Sequence, residues 1–435
     1  MRRSLVFLVA VAGFGLAGCT ALGLELSPDG EQSSDEPTTS TSTSTTTTSS
    51  SSTTTTTTTT IPAFDLTGVV TAPSGLPLAD AVVSIAGTSA VTGSDGAFTL
   101  ESIPAGTVTV ERPAWMAKEF EFAGEPTMDV QLEPRTVRAL RVSSYTSMEP
   151  EKFAALLDLA EGTTVNALAF DTKDETGYVL YDTTSQVAAE IGSINPQYDP
   201  REQIAVAKDR GLYTITRIVT FEDRVWSAAK PEDKLSWIWM DPLNQSNWTY
   251  PLELAEEACE LGFDEIQFDY VRFPAGKTAA AAERKRPTTA DDRVGAITGF
   301  LSAAVDKLHP LGCAVSADIF AIVMSSPGDE GIGQRIEELS RTIDAISPMI
   351  YPSHYSDGWL GFANPNSHPG PVVAFALDKA IPRLEGTAIL RPYLQAFYYN
   401  GSQIGAQITE AEARGLGWLL WNAGGDYAES WLPAS

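Results

Sequence analysis

The chain has 435 residues, with 29 lysines and arginines against 56 aspartates and glutamates, for a formal net charge of −27. That length suits more than one domain and a full-sized core. The acidic balance excludes partners that need cationic patches, such as nucleic acid or an anionic membrane surface, and leaves the substrate open.

The first segment, MRRSLVFLVAVAGFGLAGCT, carries two arginines, an apolar run too short to span a bilayer comfortably, and small residues before Cys19. Leu16-Ala17-Gly18-Cys19 resembles the bacterial lipobox. The resemblance implies that residues 1–19 are a lipoprotein signal peptide, that Cys19 is acylated, and that the mature chain is extracytoplasmic and held to the cell membrane by lipid alone. From Thr38 to Thr60 every residue is Ser or Thr. Residues 20–62 cannot bury apolar surface and are expected to form a disordered linker.

Between residues 63 and 133 short β runs alternate with turn residues: LTGVVTA, AVVSIAG, GAFTLESI, GTVTVER. Asp95-Gly96 is a hairpin turn signal. With Gly68, Pro77, Ala79, Val82, Asp95-Gly96, Phe98 and Gly106 in place, this segment resembles the carboxypeptidase regulatory-like β-sandwich. Those positions are turns and core, so a spacer or weak binding module is expected there, without chemistry.

From residue 136 to 435 the rhythm becomes strand, helix, strand, helix. RALRVSSY, VNALAFDTK, LYTITRIVTF, DEIQFDYVRF, CAVSADIF, AISPMIYPS, AILRPYLQAF and GWLLWNA read as eight strands, with amphipathic stretches such as PLELAEEACELG between them. Eight such units suit an α/β fold of the (β/α)8 TIM-barrel class, preceded by the small all-β sandwich. A doubly wound sheet is the rival, disfavoured because no glycine-rich phosphate loop follows a strand. Cys259 and Cys313 each lie beside a strand start, which permits either a disulfide or two buried thiols.

In such a barrel the site forms at the C-terminal ends of the strands. Asp171 and Lys173 end strand two, Arg217 lies in strand three, and Asp269 ends strand four with Arg272 just beyond. Asp318 ends strand five, Tyr351 and His354 end strand six, Tyr393 and Gln395 lie in strand seven, and Trp421 and Asn422 in strand eight. Glycoside hydrolysis needs one carboxylic acid to protonate the leaving oxygen and a second carboxylate to attack carbon or activate water. Asp269 and Asp318, ending neighbouring strands, have that placement. Aromatics at the rim (Tyr270, Tyr351, Tyr355, Tyr393, Trp421) suit sugar faces. Read with period two, Glu265, Gln267 and Asp269 share one side of strand four; Glu265 lies low and is expected to form an inner-barrel ion pair. No His/Cys/carboxylate cluster has metal spacing, so neither metal nor cofactor is implied.

LGFDEIQFDYVRFP, with VNALAFDTKDETG and TITRIVTFEDRV, resembles the bacterial family described as a putative glycosyl hydrolase domain, from about Val137 onward. The resemblance, through α-amylase-like (β/α)8 relatives, implies Asp269 as nucleophile and Asp318 as acid/base. Asp171, Lys173, Arg217, Gln267, Arg272, Tyr351, His354, Tyr393, Gln395, Trp421 and Asn422 are then the candidate substrate-binding residues. Two departures stand out: strand five ends in Asp rather than Glu, and position 267 is Gln rather than the amylase-type Arg. The expected activity is hydrolysis of a polysaccharide or glycoconjugate by a monomer. The alternatives are a non-catalytic carbohydrate-binding surface protein and a transglycosylase using the same residues.

Overall fold

The computed structural model describes residues 62–434. The signal segment, Cys19 and all but the last residue of the linker lie outside the described residues.

Residues 64–131 form two small sheets around one core. One holds Phe64–Thr71 between Ala97–Ile103 and Val130–Gln131; the other holds Thr88–Val91, Val82–Ile85, Gly106–Glu111 and Lys118–Phe122 in that order. Alternate residues of both, including Leu66, Val70, Val83, Phe98, Leu100, Val108 and Val110, bury against each other. The turn at Asp95-Gly96 forms, with Gly96 at φ +73° and Asp95 Oδ1 accepting the Ala97 N–H at 3.1 Å. It is not a hairpin between paired strands, however. It passes the chain from one sheet to the other, and a Cβ at position 96 would lie 2.5 Å from the Val70 carbonyl oxygen.

The rest of the chain is the barrel. Its strands are β1 (Arg138–Arg141), β2 (Ala167–Lys173), β3 (Tyr213–Val219), β4 (Glu265–Asp269), β5 (Ala314–Phe320), β6 (Ala345–Ile350), β7 (Ile389–Leu390 continuing as Tyr393–Gln395) and β8 (Trp418–Trp421). All neighbours pair in parallel, β8 pairs with β1, and β5 with β6, so the sheet closes. β7 is interrupted at Arg391-Pro392, where proline has no N–H for the ladder. Outward residues such as Ile266, Phe268, Val315 and Ile346 pack under the helices, while Ala139, Ala167, Ala169, Ile215, Tyr393 and Leu419 meet inside. The small side chains of β1 and β2 leave lumen volume for the long ones of β3, β4 and β7.

The lumen is layered along β4. At the bottom Glu265 takes Arg391 in a bidentate pair and the Ser316 hydroxyl at 2.5 Å, the inner ion pair its position suggested. One layer up, Gln267 accepts from Tyr393 Oη at 2.8 Å and donates to Ser347 Oγ at 3.3 Å. Asp269 tops the strand.

Cys259, near the end of the helix Thr249–Leu261, forms a disulfide with Cys313 just before β5. Of the two states open in the sequence, the structure has the bridge. With a sequence separation of 54 between the cysteines, loop closure in the unfolded chain is worth about 4 kcal/mol. Reduction is expected to lower the denaturation midpoint accordingly, and a Cys259→Ser variant should show no further drop with reductant.

The sandwich docks on the N-terminal end of the strands, away from the mouth. Ala314, the first residue of β5, is part of the sandwich core. His309 bridges the domains, with Nδ1 3.0 Å from Asp80 Oδ2 and Nε2 2.8 Å from Asp344 Oδ2, and Arg112 reaches Asp344 at 2.8 Å. Burial pulls the imidazole pKa down, but Asp344 outweighs it and the net shift is upward. A raised folded pKa gives stability that is complete below the unfolded value of about 6.5 and is lost as pH rises through the folded one. His309→Gln is therefore expected to cost about 1–3 kcal/mol at acidic pH. Thermal melts across a pH series should show that gap closing as pH rises.

Candidate active site

The mouth of the barrel is organised by one guanidinium. Arg217, on the inward side of β3 and 1 % exposed, donates from Nε to Asp269 Oδ2 at 2.9 Å, from Nη1 to Asp171 Oδ1 at 2.6 Å, and from Nη2 to Glu175. Its Nε also lies 4.0 Å from Asp318 Oδ2. Arg141, ending β1, takes the other oxygen of Asp171 at 2.5 Å. The Trp421 ring lies against both guanidinium groups, 4.1 Å from Arg141 Cζ and 4.8 Å from Arg217 Cζ. Four carboxylates thus meet two guanidinium groups in a largely buried space.

The two candidate catalytic carboxyls differ. Asp269 accepts from Arg217 and also from the Tyr270 N–H, which lies 2.6 Å from Oδ1. Tyr270 reaches that position with φ +50°, a left-handed conformation that a bulky residue rarely adopts. Burial raises the Asp269 pKa, and Arg217 opposes the rise. Asp318 has no such support: both oxygens are buried and neither has a hydrogen-bond partner. Burial, followed by the charge of Asp269, pushes its pKa well above the usual carboxylate range. A proton on the pair is therefore favoured at Asp318, which has no donor, over Asp269, which has two. Glu175 is part-exposed at the rim, where partial desolvation is outweighed by Arg217 and Arg141, which hold its carboxyl below the ordinary range.

The other predicted site residues divide into two groups. Tyr351, His354 and Trp421 stand at the mouth; the His354 ring meets the Tyr351 ring edge-on at 5.4 Å, and burial lowers the imidazole pKa. The rest serve the framework. Lys173 faces away from the lumen, because the register slips between Arg217↔Asp171 and Ile218↔Lys173, and its Nζ pairs with buried Asp223 at 2.5 Å. Gln267 and Tyr393 bond each other a layer below the carboxyls. Gln395 is buried, accepting from the Ser353 N–H and donating to the Phe397 carbonyl. Asn422 folds its own loop through Ala396, Gly424 and Asp426. Arg272 is caged by Trp239, Tyr270 and Phe320 at 4.4–5.2 Å and donates to the Phe273 carbonyl. All six are engaged with partners inside the protein.

Sequence reasoning missed Arg141 and Glu175. Arg141 could have been found, since it has the same parity as Ala139 and ends β1. Glu175 follows strand two in DTKDETG and is placed by the short turn that pairs Lys173 with Val179.

Residues 139–427 match the family described as "Putative glycosyl hydrolase domain". No curated protein matches the chain. Among solved structures, a hypothetical protein from Ruminiclostridium thermocellum is 32% identical, with 41% of this chain and 96% of that one covered and a TM-score of 0.36. The PgaB (BpsB) glycoside hydrolase domain from Bordetella bronchiseptica is 14% identical, with 67% and 94% covered and a TM-score of 0.50, a likeness of fold. With about two thirds of its length matched, the chain belongs to this glycosyl hydrolase domain family.

Proposed function

We propose that the protein is an exported, lipid-anchored glycoside hydrolase that cleaves a polysaccharide or glycoconjugate with Asp269 and Asp318. One observation carries the reading. Two carboxyls from adjacent strands, with Oδ2 atoms 2.9 and 4.0 Å from the same Arg217 Nε, differ in their donors, one bonded and one bare. That asymmetry is what an acid and a nucleophile require. Asp318 gives its proton to the glycosidic oxygen as Asp269 attacks the anomeric carbon, so the C–O bond breaks and a glycosyl ester forms. Asp318, now ionised, takes a proton from water, whose oxygen displaces Asp269. Arg217 orients Asp269 throughout and remains protonated.

The shared nitrogen brings the carboxyls close, which favours the retaining geometry of about 5–5.5 Å over the wider inverting one. Asp269 and Asp318 are 4 % and 1 % exposed, so a sugar reaches them only when rim side chains move aside. The Cys259–Cys313 disulfide supports an oxidising compartment, in line with acylation at Cys19. The test is reducing-end release by the full chain from a panel of bacterial cell-wall and capsular glycans. Release from at least one supports the reading, whereas affinity without release on every glycan favours a non-catalytic carbohydrate-binding protein.

A further inference from the structure

Among the described residues four Phe, Tyr or Trp side chains are exposed: Tyr145 at 48 %, Tyr178 at 36 %, Trp237 at 65 % and Tyr398 at 90 %. All four follow the C-terminal ends of barrel strands, after β1, β2, β3 and β7 respectively. Solubility alone gives no reason to gather exposed rings at the end that carries the acids and to leave the opposite end without any.

Two of the four sit on strained backbone. Trp237, in the turn between the paired segments Lys234–Ser236 and Trp239–Met240, has φ +42°, and Tyr398 has φ +62°. A bulky residue adopts that conformation only when the surroundings impose it. Tyr398 also stands at the outer end of a series of rings leading inward, and Trp237 lies close in sequence to a second pair. From Tyr398 the rings run to Phe397 at 5.3 Å and Tyr351 at 5.4 Å. Two residues from Trp237, Trp239 lies 6.3 Å from Tyr270, the neighbour of Asp269.

The strand order fixes what lies between them. β3 and β7 are four strands apart in a closed ring of eight, on opposite sides of the mouth, and β4 and β5 with Asp269 and Asp318 lie on the arc between. Of the cations at or just beyond the strand ends, Arg141 and Arg217 are committed to carboxylates, Lys173 to Asp223 and Arg272 to rings and a carbonyl, while exposed Arg224 beyond β3 lies near Glu222. With a net charge of −27, the chain as a whole disfavours an acidic polymer.

We infer that Trp237 and Tyr398 are sugar-stacking platforms on either side of the cleavage point. The substrate is then an extended glycan chain without negatively charged sugars, crossing the mouth and cut internally rather than trimmed from an end. This rests on the hydrolase reading for the cut, and on the aromatic rim alone for the binding.

The test separates the two. Affinity electrophoresis of full-chain Asp269→Asn protein, through gels containing neutral glucan, mannan, xylan or N-acetylglucosamine polymers or polygalacturonate, reads binding without turnover. Retardation by a neutral polymer is expected, and Trp237→Ala and Tyr398→Ala in that background should each weaken it about tenfold. Both sites are exposed, so melting temperature should hold. Retardation by none of the neutral polymers, stronger retardation by polygalacturonate, or no change in either alanine variant overturns the inference. Wild-type protein on the retarding polymer should give a ladder of oligomers. Release of monomer from the first minutes contradicts internal cutting, while ring-dependent binding with no cleavage sinks the hydrolase reading and leaves the platforms standing.

Discussion

Asp318→Asn protein is expected to melt higher than the wild type at neutral pH and to be nearly inactive. The Asp318 carboxyl is buried without a donor beside Asp269, so ionising it in the folded state is costly. Its folded pKa is raised. Wild-type stability therefore falls as pH climbs from the unfolded aspartate value of about 3.9 through the folded value. Asparagine does not titrate, so the variant's advantage should be absent in acid and grow across that window to about 1–3 kcal/mol. Activity should fall on the order of 10²–10⁴-fold, the scale of a lost general acid. A nitrophenyl glycoside, whose leaving group needs no proton, should recover much of the first step, and the alkaline limb of the wild-type pH profile should disappear. A variant that is both less stable and equally slow on activated and natural substrates would instead mark Asp318 as structural.

Arg217→Met should have the opposite effect on stability. The substitution leaves Asp171, Asp269 and Glu175 without the charge they share; Arg141 remains near Asp171 and Glu175, and Asp269 keeps no bonded cation. Breaking a buried pair of this kind costs about 3–5 kcal/mol, measurable as a lower urea midpoint. Arg217→Lys retains the charge but not the fork that serves three carboxylates in one plane. It should recover part of the stability and little of the hydrolysis. Full activity in Arg217→Lys would mean that Asp269 does not depend on the Arg217 Nε bond.

The barrel was legible because its strands are short apolar runs bounded by turn residues and separated by amphipathic helices. β4 was legible in detail, since period two put Glu265, Gln267 and Asp269 on one side and the structure points all three into the lumen. Parity failed where the backbone broke step: the register slip after Asp171 turned Lys173 outward, which no residue type announces. The pairing of Cys259 with Cys313 depends on where a helix end meets a strand start, a tertiary fact. Rim aromatics were misjudged for a related reason. Tyr393 looked accessible at a strand end, yet it is 1 % exposed, whereas the exposed Trp237 and Tyr398 lie in loops beyond the strands, at positive φ. Arg217 looked like a substrate-binding cation, and what it holds instead are carboxylates from three other segments.

The most direct measurement compares full-chain wild type and Asp269→Asn on one glycan that the wild type cleaves, with a melting curve for each. Loss of hydrolysis on the order of 10⁴-fold or more is expected, with the fold intact. If the folded Asp269→Asn protein releases reducing ends at the wild-type rate, the carboxylate that ends β4 is not the nucleophile, and chemistry built on the Arg217 cluster is wrong.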